Sequence, residues 1–276
     1  MKAQDLWLVS DALWARIEPL LPIHVPKPHP LGCHRRRIDN RKLLNGIFFV
    51  LRTGAQWKSL DVTGICSGSS AHRRFQEWSR AGVFRRLWEE ALKEYDDLKG
   101  LDWRWLSMDG AMTKAPLGGG ATGHNPTDRS KQGTKRSLMT EGAGIPVGLA
   151  IAGANRHDMK LVKATLESIP KIIDEKRRRD PGAHEMCMDK GYDFEEVRKL
   201  VAEFGSTAHI PVRGKSASTV EGKSRFKPRR WVVERTHSWM NRFRRILIRW
   251  EKKQPNYLAM LHFSCALIAC QQCQLG

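Results

Sequence analysis

Apolar residues in the first hundred positions recur three and four residues apart, which is the spacing of one face of a helix. The clearest run, within residues 40–52, contains five such side chains: Leu43, Leu44, Ile47, Phe48 and Leu51. Ser10 and Asp39 are residue types that cap helices, whereas Pro22 and Gly54 are types that end them. The pattern therefore predicts four helices, at about 11–21, 40–52, 69–80 and 83–95.

Beyond residue 100, short apolar runs alternate with helical segments. The runs predict strands at 103–108, 135–140, 145–152, 185–188 and 208–212. The helical segments predict helices at 157–176, 194–204 and 230–250, and a last helix that starts at Asn256. An antiparallel meander of three strands, followed by parallel strands added through right-handed crossovers, makes a mixed α/β sheet. This is the order of the ribonuclease H-like fold, so we expect a helical domain over 1–100 and a ribonuclease H-like domain over 101–276.

The charge of the chain indicates what kind of molecule it binds. The chain has 48 Lys and Arg against 29 Asp and Glu, a formal net charge of +19, while its 41% hydrophobic residues suffice for a core. Between Arg213 and Lys253 there are 14 basic residues against three acidic ones. Since basic side chains release counterions from phosphates, we expect a nucleic acid partner. The alternative is a basic protein whose charges only face solvent.

Cysteines and apolar stretches indicate the compartment. The only closely spaced pair among the six cysteines is Cys270 and Cys273, and no second pair completes a zinc site, so isolated thiols of a reducing cytosol are expected. The first 11 residues do not resemble a signal peptide. The longest apolar stretch, 258–270, is shorter than the roughly 20 residues of a membrane span. These features predict a cytoplasmic protein.

Three acidic residues stand at positions where such a fold gathers side chains. Asp109 follows the first predicted strand, Asp189 follows the fourth, and Glu234 lies in the first turns of the 230–250 helix. Strand ends of open sheets converge, and carboxylates suit Mg²⁺ or Mn²⁺. Two such ions could flank a scissile phosphate. Taken alone, each Asp is more often a turn residue, and Glu234 more often a residue favoured by the helix dipole.

The 230–250 helix should present two faces. Trp239, Phe243, Ile246 and Trp250 form an apolar stripe that predicts a core contact. A different face carries polar residues at the same spacing: Arg230, Glu234, His237 and Asn241. Arg230 could pair with Glu234 or contact a DNA phosphate.

At this point the segments resemble a known family. Met188–Tyr192 resembles the D-x-G-Y/F signature of DDE transposases from the bacterial insertion sequence four and five families, and Arg230–Thr236 resembles their R-x-x-x-E signature. Ser107–Gly110 is similar to their first-Asp region. Further segments that look like the family are 44–54, 125–135 and 154–158. The resemblance covers nearly the whole chain and is nearest to the insertion sequence five family.

This resemblance implies an activity and a site. Asp109, Asp189 and Glu234 become the catalytic triad that holds two Mg²⁺ or Mn²⁺ ions. The reaction becomes hydrolysis at the ends of the element, followed by attack of the freed 3′-hydroxyl on target DNA. The implied partners are double-stranded DNA with terminal inverted repeats and, in the synaptic complex, a second copy of the chain.

The chain departs from the wider signature at two positions. Lys227 stands where that signature has Tyr, and Asn241 stands where it has Lys. We expect the phosphate contacts of this region to come from basic residues nearby, with Arg242 or Arg244 substituting at the second departure: Lys227, Arg230, Arg235, Arg242 and Arg244.

The helix near Ser69 is the candidate for recognising the terminal repeats. Its first turns carry four polar side chains that could reach base edges: His72, Arg73, Arg74 and Gln76. Phe75 and Trp78 should face the core. An ordinary amphipathic helix with a basic outer face is an equally good interpretation. Asp158, beside His157, is interpreted as a structural helix-start residue, since neighbours on a helix do not face each other.

Two other functions remain open from the sequence. A metal-dependent nuclease or Holliday-junction resolvase on the same fold would share the triad and lack strand joining. A domesticated or inactive DNA-binding protein would keep the fold without the chemistry.

Overall fold

The computed structural model describes residues 8–25, 37–212 and 229–274, and it begins with four helices. They are α1 Asp11–Ile17, α2 Asn40–Thr53, α3 Gly68–Arg80 and α4 Val83–Lys99. The two predicted caps are present, because the Ser10 side chain accepts the N–H of Leu13 and that of Asp39 accepts the N–H of Lys42. The predicted helix 11–21 instead tightens into a 3₁₀ turn after Ile17, where Pro19 has no N–H to donate.

Within the described ranges, six strands form one mixed sheet. They are β1 Trp105–Lys114, β2 Gly123–His124, β3 Gln132–Thr140, β4 Pro146–Gly153, β5 Glu185–Cys187 and β6 Thr207–His209. β1 and β4 pair with opposite edges of β3, both antiparallel, whereas β5 is parallel to β1 and β6 is parallel to β5. The predicted meander followed by parallel strands is therefore present. The short strand β2, paired with the start of β3, was not predicted.

The predicted helix 157–176 is wrong as a single element. A 3₁₀ turn, Asp158–Leu161, leads into α5 Val162–Glu167, and a second helix, α6 Lys171–Arg179, begins after Pro170. Proline disfavours helical backbone in the residue before it and cannot donate within a helix. The break therefore lies where the sequence contains a proline.

The predicted helix 230–250 is also wrong in its length. α8 spans Trp231–Met240 and ends there; the chain then forms a 3₁₀ turn at Arg244–Ile246. Arg249, which is 1% exposed, donates hydrogen bonds to the carbonyls of Gly120, Ala121 and Glu251. This tertiary anchoring outweighs helix propensity. The apolar stripe is divided as a result: Phe243 is buried but Trp250 is 42% exposed.

Two further helices complete the fold, α7 Glu195–Glu203 and α9 Gln254–Gln274. α9 packs along α4 and reaches β4 and α8, so one apolar core joins the first hundred residues to the sheet. α8 covers one face of the sheet, beside β1 and β3, and α5 covers the other, where Thr165 bonds to Ser137.

None of the helices in the described ranges is long and apolar enough to cross a membrane. The five cysteines within those ranges are free thiols, and Cys33 lies outside them.

Candidate active site

Asp109 lies within β1, on the face of the sheet that α8 covers. The prediction that it ends a strand is wrong, because β1 continues to Lys114 along the ladder with β3. One carboxylate oxygen accepts the N–H of Gly110 at 2.8 Å. Burial raises the pKa of Asp109 to about 6, the Gly110 hydrogen bond opposes that rise, and Asp189 adds to it. Further charges act on the same pKa, since Arg230 lowers it and Asp158 raises it.

Asp189 follows β5, the parallel neighbour of β1. Its side chain caps the 3₁₀ turn Lys190–Tyr192 and accepts the N–H of Gly191 at 2.8 Å. Burial, together with the charges of Asp158, Asp109 and Asp189, holds the pKa of Tyr192 well above its usual value. The parallel pairing of β1 and β5 therefore gathers acidic side chains at one place.

Glu234 lies in the first turn of α8 and lines a cavity of ≈ 350 Å³ together with Asp109. It forms an ion pair with Arg230 at 3.1 Å, which is the pair predicted from their spacing. His237 and Asn241 line the same cavity, so the predicted polar face of this helix is present although the helix is shorter. Asp109 is thus next to Asp189 on one side and shares a cavity with Glu234 on the other.

The carboxylates Asp109, Asp189 and Glu234 suit a hard divalent cation, but their side chains are farther apart than the ligands of a bound metal ion. Within residues 8–25, 37–212 and 229–274, no group of three His, Cys, Asp or Glu side chains is close enough to hold a metal ion. The oxygen ligands fit Mg²⁺ or Mn²⁺ chemically, and a bound cation would offset both the burial and the neighbouring negative charges that raise the pKa of Asp109. In this arrangement the Glu234 carboxylate is paired with Arg230.

A fourth carboxylate approaches from the other face of the sheet. Asp158 begins the 3₁₀ turn before α5, as predicted, and one of its oxygens pairs with the Nζ of Lys135 at 2.9 Å. Its other oxygen is buried without a hydrogen-bond partner and lies where a Cβ on Gly110 would be, 2.1 Å away. A larger residue at position 110 would therefore displace the Asp158 carboxylate. Asp158 was predicted to be structural, and its pairing with Lys135 agrees with that prediction. Its charge also raises the pKa of Asp109, and the family-like segment 154–158 was the signal in the sequence for this proximity.

Arg136 on β3 was not selected from the sequence at all, although it lines the same cavity. It is 3% exposed, and its Nη2 donates to the Oδ1 of Asn241 at 2.7 Å. His237 is also buried, beside the backbone of Asp109, and neither of its ring nitrogens has a hydrogen bond of normal geometry. Burial, followed by the charge of Arg136, lowers the pKa of His237 to about 3, so the ring is neutral.

The basic residues predicted to contact DNA have different placements. Arg242 and Arg244 are exposed, and Arg230 is held by Glu234. Arg235 stacks between the rings of Trp231 and Trp239 and donates to the carbonyl of Ala143, so it links α8 to the turn between β3 and β4. Lys227 lies outside the described residues.

The outer face of α3 carries three of its four predicted residues. Arg73 is exposed, and His72 and Gln76 are partly exposed beside it in a shallow cavity of ≈ 290 Å³. Gln76 also approaches Lys253 at 3.4 Å. Arg74 turns inward instead: it is 6% exposed and bonds to Asn40, which leaves it no outer surface for a groove.

Comparison with known families agrees with this arrangement of acids on a mixed sheet. The family model "Transposase DDE domain" matches residues 102–269, and the model "Putative transposase of IS4/5 family" matches residues 9–88. The chain is a DDE transposase of the IS4/5 family. DDE transposases are metal-dependent enzymes that cut and join DNA, and this transposase is one of them.

Relatives of this transposase come from an insertion element of Burkholderia cepacia. The "Putative transposase for insertion sequence element IS402" is 34% identical over 147 residues, which is 53% of this chain and 67% of the relative. The "Insertion element IS402 uncharacterized 16.2 kDa protein" is 36% identical over 121 residues, which is 43% of this chain and 81% of the relative.

Solved transposase structures show only distant likeness. A piggyBac transposase synaptic complex with hairpin DNA aligns over 97% of this chain and 73% of its own, at 12% identity and a TM-score of 0.48. The catalytic domain of Mos1 mariner transposase aligns over 69% of this chain and 91% of its own, at 10% identity and a TM-score of 0.30.

Proposed function

We propose that this transposase binds the terminal inverted repeats of an insertion sequence, cleaves DNA at the element ends and joins the 3′-hydroxyl to target DNA. The observation that carries the proposal is Asp109. It is a carboxylate within a strand, its pKa is raised toward neutrality, it lies beside Asp189, and it shares a cavity with Glu234. A concentrated negative site within a chain of net charge +19 suits cation-assisted chemistry on a polyanion.

The catalytic region, 101–276, is proposed to have the ribonuclease H-like fold. The strand order β4-β3-β1-β5-β6, with an antiparallel meander and then two parallel strands, supports it. In this fold Asp109 stands on the central strand, Asp189 follows the adjacent one, and α8 brings Glu234 across the sheet. The helices of residues 1–100 are then proposed as the DNA-binding domain.

Asp109, Asp189 and Glu234 would hold two Mg²⁺ or Mn²⁺ ions. When bound, such ions activate the attacking oxygen and stabilise the leaving oxygen of a phosphoryl transfer. The chain's own residues prepare this arrangement. Gly110 orients Asp109 through its N–H, Gly191 does the same for Asp189, and Arg230 pairs with Glu234.

Recognition of the terminal repeats is proposed for the outer face of α3. His72, Arg73 and Gln76 can reach base edges or phosphates, and Lys253 adds a positive charge beside Gln76. Two ends must be held together for transposition, so we propose a dimer in the complex with DNA. Chromosomal DNA as substrate implies that the enzyme acts in the cytoplasm.

The experiment is cleavage and joining of a duplex that carries the terminal repeat found beside the gene. Asp109→Asn, Asp189→Asn and Glu234→Gln should each abolish cleavage in Mg²⁺ while the duplex is still bound, because each loses one ligand charge and no DNA contact. Glu196→Gln, which changes an exposed carboxylate, is the matched control and should cut normally.

Three results of this experiment would contradict different parts of the proposal. Retained cleavage in one of the three variants would remove that residue from the triad. Cleavage by the wild type with no joined product would favour the nuclease or resolvase instead. Binding to the repeat without any cleavage would favour a domesticated DNA-binding protein.

A further inference from the structure

Arg136 is a charged side chain that the fold buries without giving it a charge partner. It extends from β3 toward α8, opposite Ala111 of β1. Its Nη2 donates to the amide oxygen of Asn241, and the guanidinium also interacts with the hydroxyl of Tyr257. Its Nε and Nη1 are buried and have no hydrogen-bond partner, and no ion pair of the described residues includes it. Two of its three guanidinium nitrogens therefore have donor capacity that their surroundings leave unused.

A buried cation of this kind costs several kcal/mol unless an anion reaches it. None of the side chains that are known to interact with the guanidinium is a carboxylate; they are Asn241, Tyr257, Cys265 and His237. Structural stability does not explain the charge, because a neutral side chain would fill the same space at lower cost. The explanation has to be something that enters the cavity.

The cavity that Arg136 lines is the one that holds Asp109 and Glu234. Residues Asp109 and Ala111 are two positions apart on one face of β1, about 7 Å along the strand. Arg136 is opposite the second of them, so its free nitrogens lie beside the proposed reaction centre rather than on it. An anion bound there would be adjacent to the group that undergoes cleavage.

We propose that Arg136 binds a phosphate of the DNA strand held in the catalytic cavity, next to the scissile phosphate. This inference rests on the proposed function, because it takes DNA as the occupant. The planar guanidinium suits a phosphate, to which it can donate two parallel hydrogen bonds. Asn241 holds the guanidinium through the hydrogen bond to its Nη2. Arg136 is thus a substrate-positioning residue supplied by the sheet.

The test compares Arg136→Gln and Arg136→Lys in the full chain, with the terminal-repeat duplex as probe and Ca²⁺ in place of Mg²⁺ to prevent cleavage. Affinity is measured between about 50 and 200 mM salt. Loss of one phosphate contact should reduce the slope of log affinity against log salt by about 0.9 in Arg136→Gln. Arg136→Lys should keep most of the wild-type slope, because it keeps the charge. Arg104→Gln, which removes an exposed arginine paired with Asp102, should leave the slope unchanged.

Thermal unfolding without DNA separates binding from a structural role. Arg136→Gln should melt at or above the wild-type temperature, because it removes an uncompensated buried charge. An unchanged salt slope, or a melting temperature several degrees lower, would overturn the proposal. If the wild type binds DNA but does not cut the repeat, while Arg136→Gln still loses slope, the proposed function fails and the phosphate contact stands. If the wild type does not bind the duplex, both fail.

Discussion

At the scale of single residues, the environment of Asp109 disfavours the ionised form of its carboxyl group. Burial and the carboxylates of Asp189 and Asp158 raise its pKa to about 6, and the Gly110 N–H and Arg230 offset only part of that effect. A group perturbed in this way by burial and by neighbouring like charges is typical of a functional site. The protein is expected to fold less stably for having it.

Replacing this charge should therefore stabilise the protein when no metal is present. In the unfolded chain the pKa returns to about 4, so at pH 8 ionised Asp109 disfavours the folded state by up to about 3 kcal/mol. Asp109→Asn removes the charge and keeps the oxygen that accepts the Gly110 N–H. We expect it to melt several degrees higher than the wild type at pH 8 in EDTA, by differential scanning calorimetry, with Glu196→Gln unchanged. A lower melting temperature would contradict this account of the site.

Asp109, Asp189 and Glu234 could be predicted from the sequence, whereas Arg136 could not, and the difference has a physical reason. The acids stand in local signatures, Asp189 before Gly191 and Glu234 four residues after Arg230. Arg136 looks like any strand arginine, because its burial depends on α8 and α9, which come at least 95 residues later. The sequence also predicted Arg242 or Arg244 as substitutes for a lysine at Asn241. The cation that contacts Asn241 is Arg136, from a distant strand.

At the scale of elements, the boundaries with local chemical causes were predictable. The caps at Ser10 and Asp39 were found from residue type, and α2 ends at Gly54 as predicted. The break at Pro170 had a local cause that the helical periodicity obscured. The end of α8 at Met240 had no local cause in the sequence, because no glycine or proline follows it directly. The segment after α8 is held instead by the buried hydrogen bonds of Arg249.

Gly54 permits a comparison that separates backbone strain from crowding. Gly54 and Gly82 both have positive φ, 75° and 70°. An alanine Cβ at Gly54 would lie 3.2 Å from the backbone carbon of Arg244, whereas nothing lies within 4 Å at Gly82. Gly82→Ala should lower the free energy of unfolding by about 1 kcal/mol from left-handed strain alone. Gly54→Ala should cost measurably more in urea unfolding, because it also displaces the segment after α8. An equal loss of unfolding free energy in both variants would show that the segment after α8 moves aside without a measurable cost.

At the scale of the whole molecule, the helical region and the sheet share one interior. α9 lies along α4, and the Trp88 side chain of α4 donates to the carbonyl of Pro146 at the start of β4. His262 of α9 lies within this interior, stacked on Trp88 with ring centres 5.4 Å apart. Burial, followed by the charge of Arg85, lowers the pKa of His262 to about 3.

This buried histidine should make the whole fold sensitive to acid. His262 stays neutral in the folded chain, whereas it gains a proton below about pH 6.5 when unfolded. Each unit of pH below that value therefore removes up to about 1.4 kcal/mol of stability, until the pH approaches 3. His262→Phe keeps an aromatic ring beside Trp88 and should lose less stability between pH 7 and pH 5, measured by urea unfolding. The exposed His24 provides the control, as His24→Gln. If His262→Phe lost as much stability between pH 7 and pH 5 as the wild type, the acid sensitivity would come from other residues.

The position of α9 against α4 also has a consequence for how the chain is made. The apolar face of α4 is complete once residue 99 has been synthesised, but its partner begins at Gln254. At a ribosome speed of about 5–20 residues per second, that face waits roughly 8 to 30 seconds for its cover. During this interval we expect the uncovered face of α4 to favour aggregation, and its native packing requires that α9 has left the ribosome.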